Sequence, residues 1–198
     1  MTDAFFSRVA AFVEDLDRRI GPELLYRSAL DPYHPETGLK RPDVLRMLTA
    51  VECWAPRHMV EIGTHYGVLA SAFGMVCEQV TTFNLMLYRQ WIVPAIFRIA
   101  GVDNVTHLLP WKDAEKAEML AKLDFDAAFV DGTHTYESAK FDFEQVRKCG
   151  RVIFHDYSLT RPPRPEVRKF VDDLAASGDG RVTTDDMFAY WEDAPCGS

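Results

Sequence analysis

Apolar residues along this chain change period near residue 57. Before it they recur at intervals of three and four, as Phe5, Val9, Phe12, Val13, Leu16 and Ile20 do. That spacing predicts a helix over 4–20 with one apolar face. Residues 21–40 hold Gly21, Pro22, Pro32, Pro35 and Gly38 and read mostly as loop. Pro42 suits the first turn of a second helix that ends near Trp54. From Arg57 onward the pattern alternates. Short apolar runs at 59–62, 80–85, 104–109, 126–131 and 151–155 are separated by helical stretches at about 66–78, 88–100, 112–122, 135–148 and 164–177. Such alternation predicts parallel strands joined by crossover helices. The end of the chain departs from it. Arg181-Val-Thr-Thr184, a turn at Asp185-Asp186, and Met187-Phe-Ala-Tyr-Trp191 predict a strand pair. The expected fold class is therefore α/β: a doubly wound sheet, mostly parallel, with an antiparallel C-terminal hairpin strand and a helical N-terminal extension.

Composition narrows the partners. The 198 residues fit one elaborated domain, and a net charge of −8 argues against a nucleic-acid or anionic-membrane surface. No apolar stretch approaches the roughly 18 residues of a membrane span. The first residues lack the basic region of a signal peptide, so none is expected. Cys53, Cys77, Cys149 and Cys196 are scattered, without paired spacing. They read as reduced, buried thiols of a cytoplasmic protein rather than a disulfide frame or zinc site.

Chemistry concentrates where strands end. In open α/β sheets ligands bind beyond the carboxyl ends of the strands. Three predicted strands end there in glycine, acid or histidine. Met59-Val-Glu-Ile62 runs into Gly63-Thr-His-Tyr-Gly67. Gly63 can take positive φ, and Gly67 allows close packing of helix on strand, leaving bare backbone for a ligand. The spacing is not that of a dinucleotide fingerprint, and a plain turn is the alternative. His65, inside this loop with Thr64, either touches a ligand or fills the turn. At the second strand's tip the nearest polar residue is Asn84, whose amide can bond a hydroxyl without charge assistance.

The fourth apolar run ends in Asp131-Gly-Thr-His134, and the fifth in His155-Asp156. Carboxylates with an imidazole can hold a divalent cation, magnesium or manganese by their oxygen-rich character. Helix capping by Asp131 and Asp156 is the alternative. His134, just past the Gly132 turn, is placed to take a proton from a hydroxyl, or to serve as a structural loop histidine. His34, His58 and His107 lack partners in sequence and read as structural or exposed. Phe141, Phe143, Phe188, Tyr190 and Trp191 read as core.

Together these tips resemble the class I S-adenosylmethionine-dependent methyltransferases. More narrowly, Asp131-Gly-Thr-His-Thr-Tyr136 with Val152-Ile-Phe-His-Asp-Tyr157 resembles a small-molecule O-methyltransferase branch bearing an Asp-Gly-x-His-x-Tyr segment. The resemblance covers about 57–193 and implies a Rossmann-like fold. It implies a helical cap at 1–56 and a cofactor-binding domain at 57–198. It implies S-adenosylmethionine as cofactor, its methionine part on Glu61, Gly63 and Gly67, with Thr64 and His65 also among the cofactor-binding positions. Asn84 stands where the family's ribose-binding acid is found, and Leu109 to Asp113 falls near the adenine. Asp131 also counts among the cofactor-binding and catalytic positions. Metal-dependent relatives place carboxylates at Asp131 and Asp156, with His155 where an acid is often found, and a histidine base at His134.

Three readings follow. The first is O-methylation of a small hydroxylated acceptor, a sugar or secondary metabolite, with a divalent metal assisting. The second is a catalytically silent cofactor- or partner-binding protein on the same fold. The third is a different metal-dependent enzyme. The sequence does not decide between a monomer and a homo-oligomer.

Overall fold

In the computed structural model, residues 41–85, 90–158 and 165–193 are described. The expected helix at 4–20, the loop at 21–40, His34 and Cys196 lie outside them. Helix α1 (Arg41–Trp54) precedes strand β1 (His58–Ile62). Then come α2 (Val68–Gly74), β2 (Gln79–Phe83), a short 3-10 turn (Gln90–Ile92) and α3 (Val93–Ala100). β3 (Val105–Leu108), α4 (Asp113–Ala121), β4 (Ala127–Val130) and α5 (Tyr136–Val146) follow. β5 (Arg151–Phe154), α6 (Pro165–Ser177) and the hairpin β6 (Arg181–Asp185) and β7 (Phe188–Glu192) complete the order.

The strands form one sheet in the order β3-β2-β1-β4-β5-β7-β6. The first five run parallel, and β7 joins β5 antiparallel, with Val152 opposite Trp191. The order reverses between β1 and β4, where ligand clefts form in such sheets. Register there sets Glu61 beside both Thr82 and Phe129.

Strand periodicity divides the core. Met59, Val80, Ala127, Phe129 and Ile153 face one way, against Val44, Met47, Leu48 and Val51 of α1, Leu69 and Phe73 of α2, and Ile96 of α3. Val60, Ile62, Ala128, Val130, Val152 and Phe154 face the other way, against Leu120 of α4, Phe143 of α5, and Phe170 and Val171 of α6. Both faces of the central strands are covered, so those strands are apolar but for His58 and Glu61 of β1 and Arg151 of β5. Helix α3 shows local coding: Pro94 in its first turn, and Gly101 at φ 72° closing its end onto Arg98 and Phe97 carbonyls.

The expected elements are present with shorter bounds. The helix expected at 66–78 is only Val68–Gly74, because Gly67 starts it and a turn follows Gly74. Cys77 is buried and Cys149 half-buried, but Cys53 is exposed on α1, so the reading of all four as buried fails there. His58 is structural: its Nδ1 meets the Asp124 carbonyl at 2.7 Å and its Nε2 the Thr81 hydroxyl at 2.9 Å. Phe143, Phe188 and Trp191 are core residues, whereas Phe141 and Tyr190 are half-buried.

Candidate active site

The β1 and β4 tips touch through backbone. Gly63 has φ 109°, and a Cβ on it would stand 2.0 Å from the Asp131 carbonyl oxygen. The Asp131 N–H donates to the Ile62 carbonyl at 2.8 Å. Gly63 is therefore dictated by the neighbouring strand. Asp131 fills the side that a Cβ would take, so only the backbone of Gly63 is left to meet a ligand. Gly67, φ 80°, is likewise set by packing, although not on its own strand as expected. A Cβ there would meet Phe97 at 2.8 Å and Val93 at 3.0 Å, both on α3.

Below the loop runs a buried polar chain. Glu61 and Thr64 are 0% and 2% exposed. Thr82 donates its hydroxyl hydrogen to Glu61 Oε2 and lies 2.6 Å from the Thr64 hydroxyl. Oε1 of Glu61 is buried without a hydrogen-bond partner. Burial pushes the Glu61 carboxyl up to about 8; the Thr82 hydrogen bond opposes this, and the Asp131 charge adds to it. His65 is exposed at φ 47° and packs against Tyr66, with ring centroids 4.1 Å apart and planes inclined by 54°. Asn84 is half-buried, and its N–H donates to the Leu108 carbonyl at 3.1 Å.

Four side chains converge at the β4 and β5 tips. Nε2 of His134 is 3.0 Å from Asp131 Oδ1 and 2.9 Å from Asp156 Oδ2. Nδ1 of His155 is 2.9 Å from Asp131 Oδ1 and 3.3 Å from Asp156 Oδ1. One ligand atom from each lies within 4.8 Å of the others. Asp156 takes φ 62°, a left-handed turn that aspartate tolerates better than most residues, which brings its carboxylate back toward Asp131. Asp156 is 1% exposed, so simple capping of a surface helix does not describe it. The cap of α5 is Thr135, whose hydroxyl accepts the Ser138 N–H at 3.2 Å.

Charge couples the four. Burial opposes ionisation of Asp131, but His155 and His134 outweigh it and hold the carboxyl well below its usual range. Burial lowers the proton affinity of His134, yet hydrogen bonds and charge from Asp131 and Asp156 raise it to about 10. His155 is raised too, burial opposing and Asp131 prevailing. His134 is thus a cation between two carboxylates at neutral pH, a correction to the expected neutral imidazole. The fit to a divalent cation lies in the donor set: two carboxylates and two imidazoles, with one ligand atom from each in a single cluster. The sequence reading gave the cluster three members; the structure adds His134 as a fourth.

A family model described as a methyltransferase domain matches residues 60–157, a span holding both glycines and all four clustered residues. The chain carries a class I methyltransferase domain. Solved methyltransferases share its fold. An O-methyltransferase from Bacillus cereus in complex with S-adenosylhomocysteine superposes with a TM-score of 0.70 at 16% identity, covering 98% of this chain and 92% of that one. TomG from Streptomyces achromogenes, an O-methyltransferase of tomaymycin synthesis in complex with S-adenosylmethionine, gives 0.67 at 16%, covering 98% and 91%. The S-adenosylhomocysteine-bound methyltransferase PaMTH1 from Podospora anserina gives 0.66 at 16%, covering 98% and 89%. Comparison with curated proteins gives no match.

The methyltransferase domain also uses residues that the sequence reading passed over. Thr82 links Glu61 to Thr64. Lys116 and Asp142, 3% and 1% exposed, pair at 2.6 Å beneath Gly132. A signal for Asp142 was present: it shares the apolar stripe of α5 with Ala139, Phe143 and Val146. A carboxylate on such a stripe needs a buried partner. No helix among the described residues is long and apolar enough to cross a membrane.

Proposed function

We propose that this methyltransferase transfers the methyl group of S-adenosylmethionine to a hydroxyl of a small molecule, a sugar or secondary metabolite, with a divalent cation assisting. The observation that carries this reading is the convergence of Asp131, His134, His155 and Asp156 beside the Gly63 loop, at the strand-order reversal. When bound, S-adenosylmethionine supplies an electrophilic methyl on a sulfonium, which leaves the protein mainly to position the acceptor. Glu61, Gly63, Thr64, His65 and Gly67 would hold its methionine part and Asn84 its ribose. Glu61 fits that task through its partnerless Oε1: an ammonium beside it would favour loss of the proton that burial keeps on the carboxyl, leaving a carboxylate to accept from it. It is fully covered, so the contact requires the loop above it to part.

Asp131, His155 and Asp156 would hold the cation, which supplies Lewis acidity to an acceptor hydroxyl. Of magnesium and manganese, manganese suits the imidazole better. His134, once the two aspartates are engaged otherwise, sheds the charges that keep its proton. Once that proton has passed to solvent, its neutral Nε2 would be the base for the acceptor hydroxyl. An acceptor of the secondary-metabolite class is consistent with the role of TomG in tomaymycin synthesis.

The competing reading is a silent cofactor-binding protein. Asn84 in place of an acid, and a protonated His134, speak for it. Calorimetry with S-adenosylhomocysteine, followed by transfer of labelled methyl to a panel of catechols and sugars with added manganese, tests both. Binding with transfer supports the enzyme, binding without transfer the silent protein, and absence of binding overturns both.

A further inference from the structure

Beneath the turn that carries Asp131 and His134 lies an ion pair with no part in the chemistry so far described. Lys116 on α4 reaches Asp142 on α5, Nζ to Oδ1 at 2.6 Å, and also meets the exposed Asp113 at 2.8 Å. The second carboxylate oxygen of Asp142 faces Gly132: a Cβ there would stand 2.9 Å from Oδ2. On the other side of the turn, the Asp131 carbonyl leaves no room for a Cβ on Gly63. The Asp131–Gly132 backbone is therefore flanked by the glycine loop on one side and Asp142 on the other. A buried ion pair is weak evidence for stability, since apolar side chains of similar volume commonly do as well. Its placement under one turn points to geometry as its purpose.

We propose that Asp142, its carboxylate fixed by Lys116, is a positioning residue that sets the Asp131–Gly132 turn and so aims Asp131 at His134 and His155. This rests on the reading of that cluster as the methyl-transfer site. Its test needs neither cofactor nor acceptor, so a failure of methyl transfer is seen separately.

Two variants suit the purpose. Asp142→Ala removes Oδ2 while leaving Lys116 paired with Asp113. Lys116→Met with Asp142→Leu removes both charges at similar volume and keeps the fold. Ring nitrogen resonances of the histidines, recorded at a single pH, read the bonds to Asp131. Thermal unfolding reads the fold. The double variant is expected to unfold no earlier than wild type, yet the His134 and His155 signals should shift and broaden in both variants. His58, bonded to Asp124 and Thr81 at the opposite end of β1, should keep its signals. Unchanged His134 and His155 signals in a folded double variant would overturn the proposal. So would His58 signals displaced to the same extent, because the effect would then be general.

Discussion

Replacing Glu61 by glutamine should make the protein more stable and its cofactor site worse. Glu61 is wholly buried, and desolvation lifts its carboxyl from 4.5 to about 8 despite the Thr82 hydrogen bond. The unfolded chain ionises this group near its ordinary value, whereas the folded chain keeps the proton until pH nears 8. Between those values the folded state binds one more proton than the unfolded state. The Glu61 contribution is therefore complete below the unfolded value and is lost as pH rises through the folded one. At roughly 1.4 kcal/mol per pH unit, the loss by pH 7 is about 3 kcal/mol. Glutamine has the same shape, can still accept the Thr82 hydrogen, and has no proton to hold. Urea denaturation of both proteins from pH 5 to 8 measures the margin between them, and other titrating groups cancel in that difference. The margin should widen by about 1.4 kcal/mol per unit and level off above pH 8. A margin independent of pH would refute the reasoning, as would a variant less stable than wild type at pH 8. If Oε1 serves the cofactor's ammonium, the same variant should bind S-adenosylhomocysteine about 1.5–3 kcal/mol more weakly. Stability and function then move in opposite directions, as they do where a buried group is kept for its task.

Four further outcomes are expected. Gly63→Ala should destabilise the fold by roughly 2–5 kcal/mol in denaturant titration, because positive φ and the clash with the Asp131 carbonyl add; a loss below about 0.5 kcal/mol would show that the β1 and β4 tips do not meet as described. His134→Ala should slow methyl transfer by ~10²–10⁴-fold with S-adenosylhomocysteine affinity nearly unchanged. Without added cation, the wild-type rate should rise with pH toward the His134 value of about 10, because the base must first lose its proton; manganese should move that limb down, and a limb fixed near 6.5 would contradict the carboxylate contacts. Manganese at about 100 times its dissociation constant should stabilise the fold by roughly 2.7 kcal/mol, a gain reversed by chelation and absent from Asp156→Ala; equal stabilisation of that variant would remove Asp156 from the site.

The sheet was legible because buried parallel strands leave a coarse signal, apolar runs cut off by Gly63, Asp131 and His155. The hairpin was legible for a similar reason: Val182 and Trp191 alternate with polar neighbours around Asp185-Asp186. Helix ends were less so, since the turn after Gly74 depends on Asn104, whose amide donates to the Gly74 and Cys77 carbonyls from 30 and 27 residues away. Exposure of Cys53 depends on which way α1 rolls against the sheet, a tertiary fact that no local pattern carries.

The candidate site divides along the same line. That Asp131, His134, His155 and Asp156 carry chemistry could be read from residue type and position at strand ends. Their mutual arrangement could not, because it depends on Asp156 entering a left-handed turn and on His134 folding back across three residues. The consequence is chemical. A histidine beyond a glycine turn suggests a free base, whereas one held between two carboxylates at 3.0 and 2.9 Å is a stored proton. Its basicity then depends on what else the carboxylates bind. Gly63 teaches the converse. Its place in a glycine loop suggests ligand contact, but the atom that forbids a side chain there is the Asp131 carbonyl, and Asp131 is the residue that both histidines share. Strand packing and site geometry thus meet in one turn. A change at Gly63, Gly132 or Asp142 should reach the histidines through Asp131 before it reaches any ligand.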